Sequence, residues 1–166
     1  MMTTLARMRV PLGFVSAGLA FWLARPTLAS LLAGGAIATI GEMLRIWASG
    51  HIEKGREVTR SGPYRFLRHP LYLGSAIIGV GFMVAANSLI VTAIVSAYLV
   101  ITLVAAMRTE EATLDARFGG EYAAYREGRA APVSRPFSSD RVMANKEYRA
   151  VVGLLVGFAL LYLRGQ

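Results

Sequence analysis

Five apolar stretches divided by basic ones limit this chain to a narrow set of folds. They run over Val10–Ala24, Thr27–Ala48, Leu71–Ala86, Ser88–Met107 and Ala150–Leu163. A helix needs about 20 apolar residues to cross a bilayer, with about 17 as the lower limit. The second and fourth stretches meet that length. The others reach it only if their flanks join in or the membrane is locally thin. Arg25-Pro26 and Asn87-Ser88 leave room only for tight turns, so stretches one and two, and three and four, are expected to form helical hairpins.

Charge placement supports a membrane fold. The net charge of +8 would admit nucleic acid as a partner, but the cations lie between apolar runs. That distribution argues against nucleic acid and for membrane lipids. Arg7 and Arg9 precede the first stretch. Lys54, Arg56, Arg60, Arg65 and Arg68 follow the second. Arg108, Arg117, Arg126, Arg129, Arg135, Arg141, Lys146 and Arg149 follow the fourth, leaving only Arg25 and Arg164 for the other side. Cytoplasmic loops collect lysine and arginine. All three basic regions share the cytosol only if the N-terminus is cytoplasmic and the chain crosses five times, which puts the C-terminus opposite. The first stretch resembles a signal peptide but lacks a small-residue cleavage pattern before a soluble domain, so a retained span is expected. The expected fold is all-α: a single polytopic helical bundle over residues 1–166, with about five transmembrane helices and a cytoplasmic capping helix after the fourth.

With 55% hydrophobic residues and no cysteine, thiolate metal sites, disulfides and cysteine nucleophiles are excluded. Two histidines 18 residues apart, His51 and His69, make no metal-ligand pattern. No phosphate-cradling loop or nucleophile elbow occurs.

Two polar segments carry chemistry. In the first, Gly62-Pro63-Tyr64-Arg65 leads to Arg68-His69-Pro70. Proline suits the first turn of a helix, so His69 is expected beside a helix N-terminus whose free N–H groups, with Arg65 and Arg68, favour an anion. Tyr72, Ala76, Gly79 and Met83 share one face of that helix, and Gly81 points away. In the second, Glu110 and Glu111 follow the fourth stretch. On a continuous helix Glu111, Leu114, Asp115, Phe118, Tyr122 and Tyr125 would form one face, although Gly119-Gly120 threatens a break. Acid below aromatics suits a cationic, partly aromatic ligand. Glu42 and Arg45, near the end of the second stretch, are either a mutual ion pair or a site facing a substrate. Gly34 and Ala38, or Ser75 and Gly79, have the small-xxx-small spacing of close helix packing.

Taken together, Gly62-Pro63-Tyr64-Arg65, Arg68-His69-Pro70-x-Tyr72-x-Gly74, Glu110-Glu111, Phe118-Gly119, Tyr122 and Tyr125 resemble the isoprenylcysteine carboxyl methyltransferases. The related phospholipid N-methyltransferases share much of the pattern. The resemblance covers residues 62–137 and leaves 150–163 as an extra apolar segment. It implies an integral membrane enzyme that uses S-adenosylmethionine on a lipophilic acceptor entering from the bilayer. Its implied cofactor residues are His69, Tyr72, Gly79, Gly81, Glu110, Glu111, Tyr122 and Tyr125. Beside these, the charge of Arg65 and Arg68 is expected to assist at the cofactor's carboxylate, and Glu42 and Arg45 are expected to orient the polar head of the substrate. Carboxyl O-methylation of an isoprenylcysteine-like substrate is the first expectation. Phospholipid ethanolamine-type N-methylation and small-thiol S-methylation are the alternatives. An NADPH-dependent reductase, with Arg126, Arg129 and Arg135 on a 2′-phosphate, and a non-enzymatic membrane subunit stand below them.

Overall fold

A computed structural model describes residue 13 and residues 15–166. Arg7, Arg9 and the start of the first apolar stretch lie outside the described residues. The described chain is helical, without strands. Residues 15–23 form α1 and are followed by α2 (Leu28–Ser49), a 3-10 turn (Gly62–Arg65), α3 (Pro70–Ala86), α4 (Leu89–Phe118), α5 (Gly120–Arg126), α6 (Ser139–Ala144) and α7 (Tyr148–Arg164).

Local chemistry sets the boundaries. Thr27 opens α2 with a capping box, its side chain accepting from Ser30 N while Ser30 caps Thr27 N in return. Ser88 caps α4, and Pro70 occupies the first turn of α3 as its missing N–H allows. Asn87 closes α3 in the left-handed region at φ 48°.

α2 and α4 are long and apolar enough to cross a membrane. α3 and α7 have 17 residues each, about 25 Å at the helical rise, and fall short of a full hydrocarbon core without their flanks. Five complete crossings therefore do not follow from helix length. The 30 residues of α4 span about 45 Å, so its last turns, from Arg108 onward, must project beyond any bilayer that its apolar part crosses.

The bundle is built on the α2–α3 pair. Gly34, Ala38 and Gly41 face Gly74, Ile78, Gly81 and Ala85. A Cβ on Gly81 would stand 2.6 Å from the Gly34 carbonyl oxygen, so the backbones touch where side chains would normally separate them. This is the small-residue spacing noted at Gly34 and Ala38. The turns meet at one end of the bundle: Arg25 N donates to Ala86 O at 2.8 Å and Asn87 Nδ2 donates to Arg25 O at 3.2 Å. α7 runs the length of the pair, with Arg164 reaching Trp22 O at the turn end and Glu147, just before α7, on Arg45 at the other.

The break threatened by Gly119-Gly120 occurs, and no continuous helix runs through Tyr125. Gly119 adopts φ 45°, which a side chain would resist, and α4 ends there. The chain re-aims as α5 and then returns as a strap over the end of α2. Val133 N bonds Arg60 O, Ser138 N bonds Gly50 O, and Arg141 Nε bonds Gly50 O at 2.7 Å. Arg135 and Arg141 pair with Glu53, and Arg135 with Glu57.

Candidate functional site

The polar end of the bundle holds two adjoining compartments. The outer one, about 800 Å³, lies between the 52–64 loop, α4 from Val100 to Phe118, and α5. Val58, Tyr64, Tyr72, Glu110, Leu114, Tyr122 and Tyr125 are among its walls. The inner one, about 660 Å³, reaches toward the bundle interior past His69 and Tyr72 to Arg45, Ser75 and Glu147. Lys54, Tyr64, Arg68, Tyr72, Thr102, Ala106 and Glu110 line both, so the compartments share a wall.

The break at Gly119 brings Tyr122 and Tyr125 into the lining of the outer compartment. Tyr122, 1% exposed, is the largest fully buried side chain described, yet its hydroxyl has no hydrogen-bond partner. The Tyr64 hydroxyl is buried in the same condition. Buried polar atoms normally find partners, and here two residues that line one cavity carry buried, orphaned hydroxyls. Burial raises both phenols above their ordinary pKa, with the Glu110 carboxylate adding to the effect on Tyr64. Tyr125 instead spends its hydroxyl on the 3-10 turn, donating to Tyr64 O at 2.8 Å and Leu67 O at 3.3 Å. Burial pushes its phenol up to about 12.

The paired glutamates divide. Glu111, a turn beyond the apolar part of α4, accepts from His69 Nε2 at 2.9 Å and lies 3.7 Å from Arg68 Nη1. The His69 hydrogen bond, then the positive charges around it, hold its carboxyl below the ordinary range. Glu110 lines both compartments and has no hydrogen bond or ion pair among the described residues. Adjacent residues on a helix point about 100° apart, so one member of the pair braces α3 and the other faces the cavity.

The other expected residues are distributed unevenly. Arg68 and Tyr72 line both compartments, and His69 lines the inner one. Arg65 is exposed in the 3-10 turn and lines neither. Gly79 packs against α4, where a Cβ would meet Leu99 Cδ1 at 2.2 Å, and Gly81 packs on α2. Neither glycine lines either of the two compartments. Glu42 is buried between the helices, and Arg45 lines the inner compartment. Arg126, Arg129 and Arg135 each hold a carboxylate already: Asp115, Glu127 and Glu57 respectively.

Residues without a local sequence signal also contribute. Tyr64 lies within the first motif but was assigned no role. Glu147, Lys146 and Arg149 reach the inner compartment from the start of α7. His51, buried, contributes to the loop's core instead: its Nδ1 is 2.9 Å from Trp47 O and its ring packs edge-on to Phe137. Gly62 lies so close to that ring that a Cβ would stand 2.5 Å from it, and its φ of 54° independently favours glycine. Among the described residues no cluster could hold a metal ion.

The sequence profile of the family described as phospholipid methyltransferase matches residues 23–121, which include α2 through α4, the His69–Pro70 entrance and the Glu110–Glu111 pair. The chain belongs to the phospholipid methyltransferase family. It is also similar to the cobalt-zinc-cadmium resistance protein CzcN of Cupriavidus metallidurans, 34% identical over 129 residues, which cover 70% of this chain. The match spans 57% of that relative's length. No solved structure matches the chain. Membership in the phospholipid methyltransferase family, with the two long apolar helices, makes this a membrane protein of a methyltransferase family.

Proposed function

We propose that this chain is an integral membrane methyltransferase that binds S-adenosylmethionine in the outer compartment and a lipophilic acceptor in the inner one. The observation that carries the proposal is an uncommitted Glu110 on the wall shared by the two cavities, beside Tyr64 on the same wall and Tyr122 in the outer cavity, whose hydroxyls both lack a partner among the described residues. The residues fit the cofactor. The outer cavity has the size of a small-molecule site. Its carboxylate suits an amine or ribose hydroxyls, its buried phenols can donate or accept, and its rings suit a heterocycle and a sulfonium. When bound, S-adenosylmethionine supplies an already activated methyl group.

The protein's task is then to position and to exclude water. Glu110, Tyr64 and Tyr122 would hold the cofactor, with Arg68, His69 and the start of α3 near its carboxylate. Glu111 keeps that entrance on α4 through His69 and Arg68, and Tyr125 keeps the 3-10 turn in place. Holding two reactants in line contributes about 7–11 kcal/mol to such a transfer without a covalent intermediate. Tyr72, on both walls, stands between cofactor and acceptor.

Arg45 is the natural contact for the acceptor head and favours carboxyl O-methylation of an isoprenylcysteine-like substrate. Phospholipid ethanolamine-type N-methylation is the second reading, favoured by the description of the matching family. In the proposed arrangement the whole chain is one membrane unit with five crossings, the polar compartments face the cytosol, and the C-terminus lies opposite. A reductase finds less support, since the arginines that a 2′-phosphate would want are paired. Tritiated methyl transfer from S-adenosylmethionine into a native lipid extract tests the proposal. Base-labile label indicates a methyl ester, and base-stable label in a headgroup indicates N-methylation. A protein that binds NADPH but not S-adenosylmethionine would overturn it.

A further inference from the structure

The inner compartment has a wall that lies outside the family match. Glu147, 102 residues from Arg45 in sequence and 5% exposed, accepts from Arg45 Nε at 2.7 Å. Arg45 Nη1 donates to Ser75 Oγ. Glu42, three residues earlier on α2, is 3.8 Å from the same Nε, and both its carboxylate oxygens are buried without a hydrogen-bond donor. The guanidinium therefore stands between two carboxylates. Glu42 would draw it toward its own buried carboxylate on α2, while Glu147 holds it on the compartment wall through a short charge-assisted bond. Nε and Nη1 are committed, and Nη2 has no partner among the described residues.

The junction that carries Glu147 is itself pinned. Asn145 Nδ2 donates to Ser49 O at 3.0 Å and to Ile52 O at 3.1 Å, fixing the junction to the end of α2. Lys146 sits at φ 59°, a left-handed conformation that a lysine adopts at a cost. Lys54, Lys146 and Arg149 line the same compartment without an ion-pair partner among the described residues, and the carboxylates among its described lining residues are Glu110 and Glu147. Apart from the paired Arg45, the chamber carries an excess of positive charge.

We propose that Glu147 is a positioning residue that holds Arg45 toward the inner compartment, where the guanidinium receives an anionic group of the acceptor, a carboxylate or a phosphate. α7, which the family profile does not reach, then sets acceptor specificity. The proposal rests on the inner compartment being the acceptor site.

The test uses the full-length protein in neutral detergent, as wild type, Glu147→Gln, Glu147→Asp and the exchange Arg45→Glu/Glu147→Arg. Laurate and dodecyl phosphate serve as anionic probes and dodecanol as the neutral control, with saturation followed by thermal shift and S-adenosylmethionine binding by calorimetry. Glu147→Gln should weaken binding of an anionic probe about tenfold and leave dodecanol and S-adenosylmethionine unchanged. Glu147→Asp should recover most of that loss. The exchange should restore the unfolding temperature but not anion binding, because the guanidinium has moved to α7. A stronger response to laurate marks a carboxylate acceptor, and one to dodecyl phosphate marks a phosphate. Unchanged anion binding in Glu147→Gln, or recovery of anion binding along with stability in the exchange, would show a merely structural ion pair and overturn the proposal. If Glu147→Gln does not fold, Glu147→Asp and the exchange still decide it. Failure of the wild type to bind S-adenosylmethionine would count against the methyltransferase reading, while the anion series would still decide the role of Glu147.

Discussion

His69 Nε2 lies 2.9 Å from Glu111 Oε1, joining the entrance of α3 to the projecting end of α4 across 42 residues of sequence. The neighbouring Glu110 makes no such bond and faces the two cavities. Two adjacent, chemically identical side chains are thereby given different work, and exchanging each for glutamine should separate the effects.

Glu110→Gln should lower S-adenosylmethionine affinity by about tenfold, about 1.4 kcal/mol, with little change in unfolding temperature. Glu111→Gln should lower stability by about 1 kcal/mol, a charged hydrogen bond discounted for partial exposure. Calorimetry and thermal unfolding on the same preparations check both. Equal effects of the two variants on affinity and stability would contradict the division.

Acid should reveal the Glu111 contact. Its carboxyl is held below its ordinary value of 4.5 by the His69 bond and nearby cations. A carboxyl depressed on folding stabilises the fold above its unfolded pKa and loses that contribution as pH falls through the folded value. Unfolding temperature should therefore drop more steeply below about pH 4.5 in the wild type than in Glu111→Gln. Parallel slopes would contradict it.

Tyr125→Phe should cost about 1 kcal/mol of stability, the hydrogen bonds to Tyr64 O and Leu67 O being lost while the ring remains. Tyr122→Phe removes a hydroxyl that has no protein partner, so it should leave stability nearly unchanged and weaken cofactor binding. Thermal unfolding and calorimetry on the two variants provide the comparison.

The two glycines of α3 differ in what surrounds them. Gly81→Ala meets the Gly34 carbonyl at 2.6 Å and would have to push two helices apart, costing about 1–3 kcal/mol. Gly79→Ala meets the end of Leu99, which can turn aside, and should cost less. Reversal of that order in thermal unfolding would contradict the packing described for α2 and α3.

What was legible in the sequence was local. Thr27, Pro70 and Ser88 mark helix starts by their own chemistry, apolar length marks α2 and α4, and the two polar motifs carry the family resemblance. The break at Gly119 was signalled by Gly119-Gly120, but the direction taken by α5 depends on Tyr125 reaching the 3-10 turn, which no periodicity encodes. Gly79 read as the better cavity residue of the α3 pair, on the face of Tyr72, yet the side chain of Leu99 covers it, as the carbonyl of Gly34 covers Gly81. Glu42 and Arg45 suggested a pair by their spacing of three residues. The closer partner, Glu147, caps the start of α7, 102 residues away. Contacts at that range depend on how the bundle closes, and a single sequence carries no local sign of them.

The most direct measurement of the central claim is calorimetric titration of the solubilised full-length protein with S-adenosylmethionine, with Glu110→Gln in parallel. Saturable one-site binding in the wild type, weakened about tenfold in Glu110→Gln, is the predicted result. Absence of saturable binding in the wild type, or binding that Glu110→Gln leaves untouched, would contradict the assignment of the outer compartment to the cofactor.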